Sequence, residues 1–357
     1  MNRGRRVALP AAIATALSAL VTSWVAAAPP AAQRPEPDAP IRVGVIGLDT
    51  SHATAFTKFF NDTADAEHVP GARVVAAYPR GSEDIASSVS RVPANVEIMK
   101  GLGVEIVDSI DVLLTRVDAV LLESNDGRVH LRQAAPVLAA GKPVFVDKPL
   151  AGSLADVIAI FRLARHHGTP VFSSSALRFA AATQAVRGGS LGEVVGCDTY
   201  SPCTLEPTHP DLFWYGIHGC ESLVTVMGTG CETVSRTGGD GVDLVTGRWN
   251  GGRLGTFRGI RRGKGGYGGV AFGTKGVAPV GGFDGYRPLV VAIADFFRTG
   301  TPPVAETETI ELYAFMEAAH ESTRRGGQPV TLRDVLEPAE REAAARVAET
   351  LAGRAPR

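Results

Sequence analysis

The stretch that decides the fold is IRVGVIG at residues 41–47, which is followed by a turn and by the helical pattern HATAFTKFF at 52–60. The run is β-branched and apolar, which is typical of a parallel strand buried on both faces. Three further apolar runs are ARVVAAY at 72–78, VDAVLLE at 117–123 and KPVFVDKP at 142–149, with a helical segment near 129–140. This alternation predicts an α/β fold with a doubly wound parallel sheet.

Ligands of such sheets bind beyond the carboxyl ends of the strands. After the first strand come the six residues that we assign to cofactor binding, Gly47, Leu48, Asp49, Thr50, Ser51 and His52. A dinucleotide fingerprint places glycine at 47, 49 and 52, and only Gly47 is present. Asp49 adds a side chain and a negative charge where a diphosphate would approach the helix N-terminus. At least one of Asp49, Thr50 and Ser51 is expected to cap the helix.

The second strand ends without an acidic residue to bind a ribose, because it continues as YPRGS at 78–82. Arg80 and Ser82 suit a 2′-phosphate, which favours NADP over NAD if a nucleotide binds here. A surface turn with a solvated arginine is the alternative. The ends of the next two strands add Glu123 and Lys148 to the cofactor-binding candidates.

The composition limits the class of protein. The chain has 357 residues, of which 45% are hydrophobic and 20% charged, with a formal net charge of −1. These values exclude a disordered polymer, a collagen-like fibre and a polytopic membrane protein, and the length suggests two domains. Nucleic acid is not expected as a partner, since phosphate binding needs a basic face. Many of the 41 glycines lie in the second half, where 243–287 predicts strands joined by loops.

The N-terminus has the pattern of an export signal, with Arg3, Arg5 and Arg6 before an uncharged stretch at 7–28. Val25 and Ala27 suit signal peptidase, and cleavage after residue 27 moves the formal net charge from −1 to −4 by removing three arginines. An uncleaved membrane anchor is the alternative. Residues 28–40 predict a proline-rich linker. We therefore expect a periplasmic or extracellular protein.

The four cysteines, Cys197, Cys203, Cys220 and Cys231, all lie in the second half. Two disulfides fit an exported chain, whereas buried free thiols fit a protein that folds before export. Their spacing matches neither a CxxC pair nor a metal-type motif.

Five segments, taken in order, resemble the Gfo/Idh/MocA family of nicotinamide-dependent oxidoreductases. They are IRVGVIG, VDAVLLE with His130 after it, AAGKPVFVDKPLAGSLAD, YGIHGCESLVTVMG and the run at 286–332. The resemblance implies a Rossmann dinucleotide-binding domain, followed by an α/β domain with an open, mostly antiparallel sheet that often forms a dimer interface. We place the first domain at 41–175, the second at 176–335 and a C-terminal helix at 336–357, and we expect a homo-oligomer.

The resemblance also implies two catalytic residues. Lys148, in the segment DKP, matches the family's lysine that contacts the cofactor and the substrate hydroxyl, and an ammonium group there can polarise an alcohol or a carbonyl. His218 occupies the family's GxH segment. The aspartate that usually lies four residues earlier is replaced by Trp214, and the acid three residues later is Glu221. The i, i+3 spacing lets the Glu221 carboxylate orient or charge the imidazole, so Glu221 is our third catalytic candidate.

The second domain offers substrate-binding candidates. Ser174, Ser175 and Arg178 supply hydroxyl and guanidinium groups for a polar ligand. The segment 206–214 either flanks the pocket, where an aromatic ring stacks on a sugar, or packs as a surface loop; its candidates are His209, Asp211, Phe213 and Trp214. We assign substrate binding to Lys148, Arg178, Trp214, Tyr215 and His218.

Two enzymatic functions fit these residues. The leading hypothesis is NAD(P)-dependent hydride transfer on a carbohydrate-like small molecule, a sugar, polyol or glycoside, in which Lys148 and His218 handle the hydroxyl proton and Glu221 supports His218. The alternative is lyase, hydrolase or epimerase chemistry on a glycoside with a tightly held nucleotide. Export favours the alternative, because free NADP is scarce outside the cytoplasm.

A third hypothesis is a non-catalytic protein that binds a sugar or a metal. If the nucleotide has been lost, Asp49, His52 and His130 have the chemistry to join His218 and Glu221 around a divalent ion. No spacing in the sequence fixes their convergence, so we assign no metal site from the sequence.

Overall fold

The computed structural model describes Met1 and residues 39–353. Apart from Met1, the predicted export segment lies outside the described residues, and so does the linker up to residue 38. Among the described residues, no helix combines the length and the apolar character that are needed to cross a membrane.

The first sheet has six parallel strands in the order β3-β2-β1-β4-β5-β6. The strands are β1 (Ile41–Ile46), β2 (Ala72–Tyr78), β3 (Glu105–Ile106), β4 (Ala119–Leu122), β5 (Val144–Val146) and β6 (Val171–Ser173). The order reverses between β1 and β4, which is the switch point where ligands of doubly wound sheets bind. The predicted parallel sheet is therefore confirmed, and its central strands are almost wholly buried.

Six helices connect these strands. They are α1 (Ser51–Asn61), α2 (Ala86–Val89), α3 (Val92–Gly101), α4 (Ile110–Leu114), α5 (Gly127–Ala139) and α6 (Leu154–His167). Side-chain caps fix several of their N-termini. Thr50 caps α1, Asp126 caps α5 and Ser153 caps α6, each by accepting hydrogen bonds from backbone N–H groups of the first turn. These caps place the start of each helix at the carboxyl edge of the sheet.

The second sheet is mostly antiparallel, as predicted, with the order β12-β11-β7-β10-β9-β8-β13 and one parallel pair, β7 with β10. Its strands are β7 (Val194–Pro202), β8 (Cys231–Gly239), β9 (Val242–Trp249), β10 (Leu254–Ile260), β11 (Gly268–Gly273), β12 (Gly276–Val280) and β13 (Val330–Thr331). The helices of this part are α7 (Ala181–Arg187), α8 (Ile217–Met227), α9 (Arg287–Thr299), α10 (Glu306–Arg324) and α11 (Leu332–Leu351). Helix α8 is buried along its whole length, so it holds His218 rigidly.

Helix α9 packs on the first sheet's side of the molecule, although it comes late in the chain. Leu289, Val290 and Ile293 of α9 belong to the same buried cluster as the aromatic residues Phe56 and Phe172. The predicted boundary at 175/176 thus separates the two sheets but not their cores.

The C-terminal helix α11 begins at Leu332, four residues before the predicted start at 336. Thr331 caps it by accepting a hydrogen bond from Asp334 N. Further along the helix, Arg346 pairs with Asp156 of α6.

All four cysteines are buried free thiols. The structure therefore favours the second of the two alternatives for the cysteines. Burial raises the pKa of Cys203 to about 11 and that of Cys197 to about 12, so the reactive thiolate forms are scarce near neutral pH.

We predict that the native protein resists thiol-modifying reagents and that all four thiols react once it is unfolded without reductant. Quantitative labelling with a chromogenic disulfide reagent, with and without guanidinium, measures both numbers. Fewer than four thiols in the unfolded, unreduced chain would contradict the structure.

Candidate active site

Gly47, the first glycine of a nucleotide-binding turn, follows β1 at a position where no side chain fits. Gly47 has φ +88°, and a Cβ on it would lie 2.5 Å from the backbone nitrogen of Ser124. A side chain at this position is excluded both by the backbone conformation and by the neighbouring strand end. Its N–H donates to Tyr78 O at 2.9 Å, which ties the turn to the end of β2.

The Asp49 side chain is directed into the protein interior, contrary to the expectation that its charge opposes a diphosphate. The side chain is fully buried, and its carboxylate accepts hydrogen bonds from Ser82 N at 2.8 Å and Asn125 N at 3.1 Å. It also fills the space above Gly81, whose missing Cβ would lie 2.5 Å from the carboxylate. Asp49 therefore joins the ends of β1, β2 and β4, and its charge is compensated by backbone amides beneath the turn.

Thr50 is the helix cap among the three candidates. Its Oγ1 accepts hydrogen bonds from His52 N at 3.0 Å and Ala53 N at 3.3 Å. Thr50, Ser51 and His52 line a cleft, whereas Gly47, Leu48 and Asp49 are buried behind it. The six residues assigned to the cofactor turn thus divide into three that face the cleft and three that support it.

The two candidates for a 2′-phosphate lie outside the cleft lining. Arg80 is exposed, and its backbone oxygen accepts a hydrogen bond from the Gln133 side chain at 3.2 Å. Ser82 is buried and donates its backbone N–H to Asp49. The segment that follows β2 contributes Ser87 and Arg91 to the cleft instead.

The cleft has a volume of about 360 Å³ and lies at the carboxyl ends of β1, β4 and β5. Among the described residues that line it there are Arg91, Lys148 and two histidines but no aspartate or glutamate. The second part of the chain closes the cleft with a largely aromatic wall, formed by Trp214, Tyr215, Tyr267, Phe283 and Tyr286. The lining is therefore suited to a ligand that carries both negative charge and a flat or polyhydroxylated ring.

Lys148 lies where the sequence places it, two residues after the end of β5 and in the cleft lining. The residue is 8% exposed, and its Nζ lies 5.8 Å from the centroid of the Tyr215 ring. The Tyr215 hydroxyl is 2.9 Å from the hydroxyl of Tyr267. These contacts hold the ammonium group at the junction of the two sheets.

His218 faces the cleft from α8 and is nearly buried. Its Nδ1 lies 2.7 Å from Ser175 Oγ. Burial lowers the pKa of His218 well below its usual range, and the charge of Lys148 lowers it further. The imidazole is therefore neutral at physiological pH. In the tautomer whose Nδ1 donates to Ser175, Nε2 is left to accept a proton.

The Glu221 carboxylate is not hydrogen-bonded to His218, which corrects the prediction of a direct pair. Its carboxylate accepts hydrogen bonds from Ser174 Oγ at 2.6 Å, Ser175 N at 2.7 Å and Arg178 Nε at 2.7 Å. The link to His218 is indirect and runs through Ser175. The i, i+3 spacing placed both side chains on one side of α8, but the stronger guanidinium partner takes the carboxylate.

Arg178 is also absent from the cleft lining, although it was predicted to bind substrate. It is 2% exposed and joins Glu221 to Glu308 of α10. Its role in this structure is to hold the segment after β6 between α8 and α10.

The segment 206–214 flanks the cleft through one residue. Trp214 lines the cleft, and its ring centroid is 4.9 Å from that of His209, whose Nε2 lies 3.2 Å from Asp126. Phe213 is buried, and Asp211 pairs with Arg236 at 3.0 Å. The pocket alternative for this segment therefore holds for Trp214, while the other three side chains anchor it.

A second group of polar side chains lies at the ends of β4 and β5. His52 Nδ1 is 2.7 Å from Asp147 Oδ2, and one donor atom each from His52, Glu123 and Asp147 lie within 4.8 Å of one another. Burial and the charge of Asp147 raise the pKa of Glu123. The pKa of Asp147 is lowered overall. Burial alone would raise it, but the charge and the hydrogen bond of His52 outweigh that effect.

The structure does not bring together the set of metal ligands considered from the sequence. Asp49 is bonded to amides and Glu221 to Arg178. His130 is fully buried between two carbonyl oxygens, Leu150 O at 3.1 Å from Nδ1 and Ser124 O at 2.7 Å from Nε2. Of that set, His52 alone lies in the cluster with Glu123 and Asp147.

Comparison with known proteins identifies the first domain. Residues 41–175 match the model of GFO_IDH_MocA, described as an oxidoreductase family with an NAD-binding Rossmann fold. These residues belong to the Gfo/Idh/MocA family. The match spans the first sheet and ends two residues after β6, so the family assignment rests on the part of the chain that carries the cofactor turn and Lys148.

A curated relative supports the same Gfo/Idh/MocA assignment over a shorter stretch. The uncharacterized oxidoreductase YhhX of Escherichia coli (strain K12) is 31% identical over 113 residues, which are 28% of this chain and 32% of the relative. The match thus spans about a third of the length of that curated relative.

Solved structures extend the likeness to both sheets. A probable dehydrogenase from Thermotoga maritima is 22% identical, with a TM-score of 0.66 over 83% of this chain and 100% of the other. The scyllo-inositol dehydrogenase from Lactobacillus casei, solved with NAD(H) and scyllo-inositol, is 16% identical, with a TM-score of 0.67 over the same shares. At these identities the likeness shows the fold, and it does so for the second domain as well as for the Gfo/Idh/MocA domain.

Several cleft residues were missed from the sequence. Ser87 and Arg91 lie in a polar helical segment that carries no motif, and Asn125 follows the assigned Glu123 without a pattern of its own. Tyr267 and Phe283 are two of the three aromatic residues of the glycine-rich run at 263–285, and their position there was the available signal; the third, Phe272, does not line the cleft. Aromatic residues among loop glycines are good candidates for a pocket wall, because little else in such a run can bind a ring.

Proposed function

We propose that this protein is an oxidoreductase that uses NAD or NADP to act on a small polyhydroxylated molecule, a sugar, polyol or glycoside. The observation that carries the proposal is the cleft at the switch point of a Gfo/Idh/MocA-type sheet, lined by Arg91, Lys148, His52 and His218 without a carboxylate among its described residues. A dinucleotide is anionic and has flat rings, and this lining complements both properties.

The residues present fit a dinucleotide despite the altered fingerprint. The side chain at position 49 points away from the cleft, so it neither blocks nor repels a diphosphate. Thr50 and Ser51 at the start of α1, with Ser87 and Arg91 beside them, would hold the phosphates and the adenosine side. When bound, the nicotinamide supplies hydride transfer to or from a carbon that bears a hydroxyl group.

The chain's own residues would manage the hydroxyl proton. The neutral His218 is able to accept it, and the nearby Lys148 ammonium is able to donate a hydrogen bond to the same oxygen and stabilise its developing charge. Ser175 fixes the imidazole when its Oγ accepts a hydrogen bond from Nδ1, and Glu221 fixes Ser175 by accepting a hydrogen bond from its backbone N–H. Glu221 therefore acts as a positioning residue in this proposal.

The aromatic wall and the structural neighbours support the proposed substrate class. Tyr215, Tyr267 and Trp214 offer ring faces and hydroxyl groups to a polar ring, and Thr204 adds another hydroxyl. Several of the structural neighbours are described as inositol dehydrogenases, among them the enzyme from Lactobacillus casei and a putative enzyme from Sinorhizobium meliloti. A cyclic or sugar-like polyol is therefore the first substrate to test.

We predict that the purified chain binds NAD or NADP with one site per chain, and that Arg91→Met weakens binding about tenfold, the loss expected for one charged phosphate contact. Isothermal titration with both nucleotides measures the affinities, and Arg132→Met, on an exposed position of α5, is the matched control. Arg80 is exposed and lies outside the cleft lining, so the preference for NADP is tested separately: if Arg80 binds the 2′-phosphate, Arg80→Met weakens NADP binding and leaves NAD binding unchanged. A chain that binds neither nucleotide would contradict the proposed function.

A further inference from the structure

Glu123 and Asp147 place carboxylate oxygen atoms in the protein interior, near each other at two adjacent strand ends. Each residue directly follows a central strand, and its backbone N–H is bonded to the neighbouring strand end, Glu123 N to Ile46 O at 2.7 Å and Asp147 N to Leu122 O at 2.8 Å. Glu123 is 0% exposed and Asp147 is 1% exposed. Within residues 39–353, neither Glu123 Oε1 nor Oε2 nor Asp147 Oδ1 has a hydrogen-bond partner. Buried carboxylate oxygens without partners are costly, so they indicate a ligand between them.

The charges around these oxygens are out of balance. Asp49 adds a third buried carboxylate close enough to influence Glu123. Backbone amides already compensate Asp49, so Glu123 and Asp147 are the acids left to balance. The Lys148 ammonium is the nearby positive charge. Among the described residues, the pair has one side-chain hydrogen bond, between His52 Nδ1 and Asp147 Oδ2 at 2.7 Å. A divalent cation would cancel the remaining charge.

The donor set and its spacing match a metal site. One atom each from His52, Glu123 and Asp147 lie within 4.8 Å of one another. Donors at about 2.0–2.2 Å from a shared tetrahedral Zn²⁺ stand about 3.3–3.6 Å apart, so the three side chains would have to close by about 1 Å on binding. One imidazole nitrogen with two carboxylates suits first-row divalent ions, and stacking of His52 on Phe56 fixes its ring plane.

We propose that His52, Glu123 and Asp147 bind one first-row divalent cation, with Zn²⁺ and Mn²⁺ as the best matches to this donor set. Three protein ligands leave at least one coordination position open, and His52 also lines the cleft, so the site is reachable from it. The site stands on its own residues and does not depend on the proposed nucleotide chemistry.

The first test measures the metal on the whole chain, purified without a polyhistidine tag. Elemental analysis before and after dialysis against a chelator gives the content, and titration of the stripped protein with MnCl₂ followed by electron paramagnetic resonance gives the stoichiometry and affinity. We expect one Mn²⁺ per chain, displaced by ZnCl₂. Electron spin-echo modulation from an imidazole nitrogen on the bound Mn²⁺ is expected in the parent protein, which requires no variant to fold.

The second test assigns the ligands. Glu123→Gln, Asp147→Asn and His52→Gln are each expected to weaken Mn²⁺ binding by roughly 100-fold or more, since loss of outer-shell partners alone costs 10–100-fold. Glu311→Gln is the matched control, because its carboxylate accepts backbone bonds from Gly230 and Cys231 on the second sheet's side, away from the cluster. It is expected to keep the parent affinity.

Two results would overturn the metal site. One is a parent chain that takes up no stoichiometric Mn²⁺ or Zn²⁺. In that case, an infrared carboxylic-acid band that disappears in Glu123→Gln would show that a proton occupies the site instead. The other is Mn²⁺ bound without imidazole modulation and unaffected by the three substitutions, which would place the ion elsewhere.

Discussion

Replacing Lys148 with methionine is expected to lower kcat/KM by about 10²–10⁴-fold, the usual contribution of a positioned proton-transfer or electrophilic group. The methionine keeps most of the volume of the side chain but removes the ammonium group that faces the cleft beside Tyr215. Since His218 stays in place, the hydroxyl proton still has an acceptor, whereas the charge that develops on oxygen loses its stabilising partner. The loss should therefore fall mainly on kcat.

The measurement is the rate of NAD(P)H formation with the polyol that the parent chain oxidises fastest, chosen from a panel of inositols and sugars. Lys142→Met is the matched control, because Lys142 lies just before β5 at the opposite edge of the same sheet. A Lys148→Met enzyme with the parent kcat/KM, and with nucleotide affinity intact, would remove Lys148 from the mechanism.

The fold was predictable from the sequence because the pattern of its central strands is local. The apolar run at 41–46 and the shorter cores of β4 and β5 carry buried side chains on both faces, and their flanking helices have caps that are visible in the sequence. Boundaries shifted where a single capping residue decides them, as Thr331 does for α11. The packing of α9 against the first sheet was missed, because an amphipathic pattern shows which face is buried but not against what.

The candidate site was predictable in part. Lys148 and His218 reach the same cleft, as expected from the strand end and the GxH segment. The direction of the Asp49 side chain was not predictable, since its partners Ser82 and Asn125 lie 33 and 76 residues away along the chain. An acid in place of a fingerprint glycine looks like an obstacle in the sequence, and in the structure it is a buried link between three strand ends.

The same limit applies to Glu123 and Glu221. Glu123 reads as the last residue of a strand, and its closeness to Asp147 and His52 arises from the pairing of β1, β4 and β5. Glu221 has the spacing of a partner for His218, but the competing guanidinium comes from Arg178, 43 residues earlier. Spacing along one helix identifies the side chains on a face, and the tertiary partners decide what each of them binds.

Replacing Arg178 with methionine is expected to lower the free energy of unfolding by about 3–5 kcal/mol, the usual cost of removing one partner from a buried ionic group. Arg178 Nε lies 2.7 Å from Glu221 Oε1, and Nη1 lies 2.5 Å from Glu308 Oε1, with all three side chains nearly buried. Without the guanidinium, Glu221 keeps its bonds to Ser174 and Ser175 but loses its countercharge. Urea unfolding followed by circular dichroism measures the change.

The companion variants decide whether the charge itself is responsible. Arg187→Met removes a half-exposed partner of Glu308, and Arg178 still pairs with that carboxylate, so a much smaller loss is expected. Adding Glu221→Gln to Arg178→Met removes one uncompensated charge, so it should recover part of the stability, which a double-mutant cycle resolves. An Arg178→Met chain within about 1 kcal/mol of the parent would show that the carboxylates find other partners or protons. Because Glu221 holds Ser175 and Ser175 holds His218, loss of this ion pair should also disturb the imidazole that faces the cleft.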